Sequence, residues 1–452
     1  MKLPATLSIV LLAAATLRAE APSIQGTLPE DYVPSLKPLL VEAIERSPNT
    51  IAASISVAQQ EAGKISAYAA LYPAASLSAN YLDSRESTSN SLPSKEKGLF
   101  YSAYINQPIV QWGALKNAAE VGNLGVKIAE RQYAEAYRLL AVSIREQYMG
   151  LIEKKVARRN ALFALHLSQV AMQAQQARFD SGSASEAELG NYRMSVEQAQ
   201  LDADRATEDM AYTKRVLTRL LGIDDLADDS IPDVLPHPEY SKPMADAVLA
   251  GFVGDGIEST FQNQVYKLSL KQNDLNYSIA SVRLLPKFSA TASYSYQDSV
   301  TASPGSVSQT GVQSETYGVA AYWSIFDGFA TRGAKMAALE NKRYYERVRK
   351  TYVDSTIDTV TYMRHQLDFS ARSMSIAEVH DALIAAEVKR LGDDVGLGYA
   401  SQAQTDSGKL TLYTWDYQMA YARADYLGRW TEFISQAGID PAISNLSPRY
   451  VR

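Results

Sequence analysis

The sequence contains no cysteine among its 452 residues. A chain without thiols has no disulfide framework, no thiolate metal site and no lipid anchor attached through an N-terminal cysteine. Histidine is nearly as scarce: His166, His237, His365 and His380 are scattered without metal-ligand spacing, so neither a metal nor any other cofactor is expected. No nucleophile–base constellation and no phosphate-cradling loop is visible, which argues against an enzyme. The net charge of −6 argues against a nucleic-acid partner. No stretch reaches the roughly 18 apolar residues of a membrane-spanning helix. The one apolar run, Ala5 to Leu17, is too short to span; preceded by Lys2 and followed by Arg18-Ala19, it reads as a secretory signal, residues 1–19, cleaved after Ala19.

An exported chain without a spanning helix can still cross a membrane as strands. Two stretches fit. Ala75, Leu77, Ala79 and Tyr81 alternate with Ser76, Ser78 and Asn80, and Leu99, Tyr101, Ala103 and Ile105 alternate in a partner across the polar loop Asp83–Lys97. In the second stretch Phe288, Ala290, Ala292, Tyr294 and Tyr296 alternate with Ser289, Thr291, Ser293 and Ser295, with Tyr317, Val319, Ala321 and Trp323 in the partner. Period-two alternation with one apolar and one hydroxylated face is a strand with one dry and one wet side. Runs of roughly ten residues are long enough to cross an outer membrane when tilted. The 28 tyrosines, against 10 phenylalanines, suit rings placed where hydrocarbon meets water.

Proline and glycine are few, 17 and 24, and they cluster. Between Ala114 and Arg178 there is no proline at all, and a continuous helix of that length is about 98 Å long. The order read from the chain is a loose N-terminal extension (20–38), then a first unit (39–222) of helix, strand pair 74–107 and helical hairpin 114–221. An acidic, proline-rich linker (223–243) leads to a second unit (244–440) of helix, strand pair 287–323 and hairpin 330–437, and a tail (441–452) closes the chain. The units repeat each other. Pro73 and Pro286, like Tyr81 and Tyr294, are 213 positions apart; Gly182 and Gly398, Ser185 and Ser401, and Gly222 and Gly438 are all 216 apart. In the second long helix Tyr345, Val348, Tyr352, Ser355, Thr359, Tyr362, Gln366, Phe369, Ser373, Ile376, His380 and Leu383 are spaced alternately by three and four. That is a heptad seam with too many polar positions for a simple zipper. It suits a helix flanked on both sides in a cylinder with a wet interior. His380 is expected to be a packing residue there.

Four spanning strands cannot close on themselves, and open edges in hydrocarbon leave backbone groups unpaired, so further copies must satisfy them. Two copies would give a filled eight-stranded barrel; three give twelve strands and a lumen.

The duplicated plan resembles the TolC-type outer-membrane efflux protein family. The resemblance rests on the turns Pro108-Ile109-Val110-Gln111-Trp112-Gly113 and Ser324-Ile325-Phe326-Asp327-Gly328-Phe329, and on a Gly-x-x-Ser break at each helical tip. It runs from about Leu39 to Asp440. It implies a homotrimer in the cell outer membrane, each chain giving strand hairpins and long antiparallel helices to a 12-stranded β-barrel on a 12-helix periplasmic α-barrel. It also implies outer-membrane lipid as surroundings, a periplasmic adaptor (membrane fusion) protein as partner, and an inner-membrane pump reached through that adaptor. Such a chain is a passive exit duct of a tripartite efflux or secretion system. By the same resemblance Gly182, Ser183, Ser185, Gly398, Tyr399 and Ser401 would form the periplasmic tips and meet the adaptor. Pro108, Trp112, Gly113, Asp327 and Gly328 would turn strands into helices. Ala184 and Ala400 stand where many relatives carry arginine, and Gln404 and Ser407 where some carry acids, so the gate does not carry over. Glu186, Glu188, Asp393, Asp394 and Asp406 are the candidate aperture acids, the alternative being ordinary solvated helix-end acids. A type I polypeptide secretion duct shares this architecture. A soluble periplasmic coiled-coil scaffold or adaptor is the reading from a different class.

Overall fold

The computed structural model describes residues 26–87, 94–303 and 305–451; the signal segment 1–19 lies outside them. Three helices, α1 (Pro29–Tyr32), α2 (Leu36–Arg46) and α3 (Pro48–Ala69), lead into strands β1 (Ala74–Glu86) and β2 (Ser94–Val110). The long helix α4 (Ala114–Asp180) turns back into α5 (Glu186–Leu221). After the linker come α6 (Lys242–Gly251), α7 (Ile257–Ser259) and α8 (Phe261–Ser281), then β3 (Lys287–Ser303) and β4 (Ser306–Tyr322). A second long helix α9 (Ala330–Gly396) turns back into α10 (Gln402–Gln436), and α11 (Pro448–Val451) ends the described chain. Helices α4 and α9 are each 67 residues long, about 100 Å, and they begin and end 216 positions apart. The duplication seen in the sequence is thus a duplication of elements.

The four strands form one antiparallel sheet in the order β1-β2-β3-β4. Its register aligns the two kinds of side chain in rows. Ser78 faces Ser102, Ser102 faces Ser295 and Ser295 faces Ser314, with Ser78 and Ser102 hydroxyls 2.8 Å apart. One row over, Ala79, Tyr101, Tyr296 and Gln313 are neighbours, and the Tyr101 and Tyr296 rings stack at 5.1 Å. The apolar face weakens on β4, where Glu315 accepts from Gln313 and Tyr317. Both outer strands are edges, and every residue of β4 is exposed wherever its side chain is described.

The strands exceed the expected ten residues, reaching 13 in β1 and 17 in the other three. Residues read as loop, including Asp83 and Lys97, are strand; the antiparallel ladder continues because their backbone groups pair, whatever their polarity. Between β3 and β4 the polar loop shrinks to a tight turn at Gly305, whose φ is +93°.

The core sits around the middle of the long helices. On α4, Tyr133, Tyr137, Leu140, Ile144, Tyr148 and Leu151 recur by three or four and are buried together, the spacing of one helix face. They meet Val360, Leu367 and Met374 of α9 and Tyr426, Trp430 and Phe433 of α10. The extension expected to be loose, the linker and the tail all belong to this core. In the extension Leu28 and Val33 are buried, in the linker Ile231 and Leu235, and in the tail Ala442 and Leu446. Each supplies apolar side chains that cover helix surface which would otherwise meet water.

The heptad seam needs a correction. Its upper positions Tyr345, Val348 and Tyr352 are half-buried, but Tyr362, Phe369, Ile376 and Leu383 are 63, 58, 62 and 62% exposed. The face of α9 that packs within the chain is the neighbouring one, carrying Val360, Leu367, Ala371 and Met374. His380 is not buried in a seam; it lies flat on Trp415 of α10, with ring centres 4.5 Å apart.

Candidate functional site

Two regions gather the residues singled out in the sequence: the junctions between strands and helices, and the turns between long helices. At the first junction the β2 register shifts between Pro108 and Val110, and Trp112 and Gly113 follow with φ of +52° and +82°. At the second, Gly328 and Phe329 have φ of +61° and +68°. Two successive left-handed residues reverse the chain sharply, and a non-glycine there marks strain held by surrounding contacts. For Trp112 the contact is visible: its indole N–H donates to the Pro286 carbonyl at 2.6 Å, across the two units. Trp323 donates likewise to Leu284, at 3.0 Å. Asp327 accepts from the Thr331 hydroxyl and backbone at 2.6 and 2.9 Å, opening α9. These bonds hold its carboxyl below the usual aspartate range.

The helical turns are built twice in the same way. Gly182 and Gly398 have φ of +74° and +80°, a conformation that favours glycine. Ser183 N–H donates to Arg178 and Tyr399 N–H to Asp394, both at 2.8 Å. Ser185 then caps α5, accepting from Glu188 N–H at 3.2 Å, while Glu188 accepts back from Ser185 N–H at 2.8 Å. Ser401 and Gln404 repeat this reciprocal cap on α10, at 3.3 and 2.8 Å. Tyr399, 82% exposed, and Leu397 project from the second tip.

Residues 39–223 match the sequence model of the outer membrane efflux protein family. That match takes in the first of the chain's two repeated units. No curated protein sequence matches the chain. Its fold is that of solved outer membrane channels. The CmeC outer membrane channel of Campylobacter jejuni is 14% identical with a TM-score of 0.72, covering 99% of this chain and 98% of that one. The outer membrane protein VceC of Vibrio cholerae is 14% identical at 0.64, covering 91% and 98%. The open-state MtrE outer membrane channel of Neisseria gonorrhoeae is 15% identical at 0.61, covering 90% and 89%.

Within this fold the candidate aperture acids separate by environment. Glu188 is committed to its cap, and those bonds lower its pKa. Asp394 pairs with Arg390 at 2.6 Å. Asp406 accepts from Gln402 at 2.9 Å, with Lys409 3.7 Å away. Among the described residues only Glu186 and Asp393 of the five have no side-chain partner. Ser185 and Ser401 are helix caps, which leaves Leu397, Tyr399 and Ser183 as the outward groups of the tips.

A polar cluster that the sequence reading missed lies higher, where α4, α9 and α10 meet. Arg159 of α4 reaches Asp416 of α10 at 2.5 Å, and its guanidinium lies over the Tyr413 ring. Tyr417 donates to Glu153 at 2.8 Å; burial first, and this bond second, push the phenol up to about 12. Asp381 of α9 abuts Asp416. The pairing is legible only once the hairpin is folded about Gly398, which brings these positions to one level.

Proposed function

We propose that this chain is the outer-membrane exit duct of a tripartite export system, assembled from three copies. The observation that carries the reading is one of unpaired surface. Strands β1 and β4 are open edges, and α9 presents Tyr362, Phe369, Ile376 and Leu383 at heptad intervals, each more than half exposed among the described residues. A sheet edge in hydrocarbon costs several kcal/mol per unpaired group, and an apolar row of this length is a packing seam for another helix. Further copies answer both needs at once. Three copies supply twelve strands, enough for a lumen, on the hydroxylated face formed by Ser78, Ser102, Ser295 and Ser314.

In this reading the strands stand in outer-membrane lipid, and helices of about 100 Å reach through the periplasm. The tips at Ser183, Leu397 and Tyr399 meet a periplasmic adaptor, which joins the duct to an inner-membrane pump. Glu186 and Asp393 line the entrance. The duct performs no chemistry; direction and energy come from the pump. The test is reconstitution of the full chain into planar bilayers. A steady conductance that rises when Glu186 and Asp393 are replaced by Ala supports the duct and its aperture. Purified protein that inserts without any conductance overturns it.

A further inference from the structure

We propose that Asp381 and Asp416 share a proton, and that this proton ties α9 to α10 above the second tip. Asp381 Oδ1 is sealed from water and, among the described residues, has no hydrogen-bond donor. A buried acceptor left unmade is costly, and more so when charged.

Among the described residues the cations of the surrounding elements are bonded to other groups, although the Nε of Arg159 is left unmade. From α4, Arg159 is engaged with Asp416 at 2.5 Å and with the Tyr413 ring, and Glu153 holds Tyr417. From α10, Arg423 is engaged with Glu378 of α9 at 2.8 Å and with the Leu235 carbonyl at 2.6 Å. From the linker, His237 Nδ1 lies 2.7 Å from the same Glu378. His380, next to Asp381 on α9, is stacked on Trp415. Of the acids here, Glu378 and Asp416 are each bonded to an arginine, whereas Asp381 has Asp416 beside it and feels Arg423 only through its charge.

A single proton resolves this. Taken from solvent, it binds one Asp381 oxygen, and the resulting hydroxyl donates to an Asp416 carboxylate oxygen. Asp416 keeps its negative charge and its bond to Arg159. Two carboxyls in contact cannot both ionise cheaply. Burial first, and the charge of Asp416 second, raise the Asp381 carboxyl to about 6 from an ordinary 3.8.

The sign follows. An acid whose pKa is raised on folding stabilises the fold most at low pH, and the contribution falls as pH rises from 3.8 towards 6. Below that range the carboxyl–carboxylate bond joins α9 to α10. Above it the same site holds two facing anions, of which only Asp416 is paired with an arginine, and the hairpin loosens. The shared proton does not rest on the duct reading.

The test uses the full chain, in its detergent-extracted form, with aspartate carbonyls labelled with carbon-13. Infrared titration follows the protonated carboxyl stretch, and the label separates aspartate from glutamate. The expected result is an aspartic-acid band that persists well above the ordinary aspartate range, disappears near pH 6 and is missing in Asp381→Asn. The amide of that variant still donates to Asp416, so its thermal midpoint should stay flat across the interval in which the wild type declines. A wild type without the band overturns the proposal, as does a band unchanged in Asp381→Asn. If Asp381→Asn fails to fold, the wild-type titration alone decides. A lack of conductance with the band present would sink the duct and leave the shared proton standing.

Discussion

The guanidinium of Arg145 and the carboxylate of Asp440, 295 residues apart, meet at 2.6 Å inside the core, with Glu30 closing the other side at 2.6 and 2.8 Å. Arg145 is fully buried. Burial alone would favour losing its charge, but the bonds to Asp440 and Glu30 outweigh it and raise its pKa. One side chain of α4 thus ties the start of the described chain to its end. Breaking a buried pair while leaving its partners charged costs about 3–5 kcal/mol. Arg145→Met should therefore lower the denaturant midpoint by that equivalent and expose residues 26–33 and 440–451 to proteolysis. A midpoint within the error of wild type would contradict the clamp.

Gly222 and Gly438 end α5 and α10 at equivalent positions, with φ of +72° and +74°, yet their surroundings differ. A Cβ on Gly222 would lie 2.0 Å from the Arg46 carbonyl oxygen, whereas nothing lies within 4 Å of one on Gly438. Gly438→Ala should cost only the left-handed penalty, about 1–2 kcal/mol. Gly222→Ala must also displace the end of α2, adding about 1–3 kcal/mol of overpacking. Denaturation of both variants checks the order, and equal losses would refute it.

The two tip caps should respond differently to acid. Glu188 accepts two bonds from Ser185, which depress its pKa; Gln404 makes the same bonds to Ser401 with an amide. A depressed carboxyl contributes stability above its unfolded pKa and loses it as pH falls through the folded value. Hydrogen exchange, corrected for intrinsic rates, should show the first turn of α5 opening on acidification while that of α10 stays protected. Glu188→Gln should remove the difference. Parallel opening of both turns would contradict the assignment.

The seam on α9 and its core face predict opposite phenotypes. Phe369→Ser with Ile376→Ser should leave helix content intact and reduce assembly. Leu367→Ala, buried in the core, should cost about 2–5 kcal/mol in the protomer itself. Circular dichroism with size analysis separates the two. Loss of helix in the seam variant would mean that the row packs within the chain.

Much of this architecture was legible because the chain repeats itself. Proline-free intervals marked α4 and α9, period-two alternation marked the four strands, and the 216-position offset carried Gly182 and Ser185 onto Gly398 and Ser401. What stayed hidden depended on packing between distant segments. Glu30, Ile231 and Leu446 lie in stretches rich in proline and polar residues, whose local pattern announces surface; only the bare middle of the long helices makes them core. The seam was found by its spacing, but spacing does not say whether a helix face meets its own chain or another. The Asp381–Asp416 contact needed the register of an antiparallel hairpin. No local motif distinguishes two such acids from the solvated ones around them.

Assembly from three copies is the central proposition. Expression of the full chain with its signal, detergent extraction of the outer membrane and mass measurement of the protein part of the particle tests it directly. A particle of three mature chains, with none in the soluble periplasm, is the predicted result. A soluble monomer or dimer would contradict it, leaving the edges of β1 and β4 and the α9 seam to be covered in some other way.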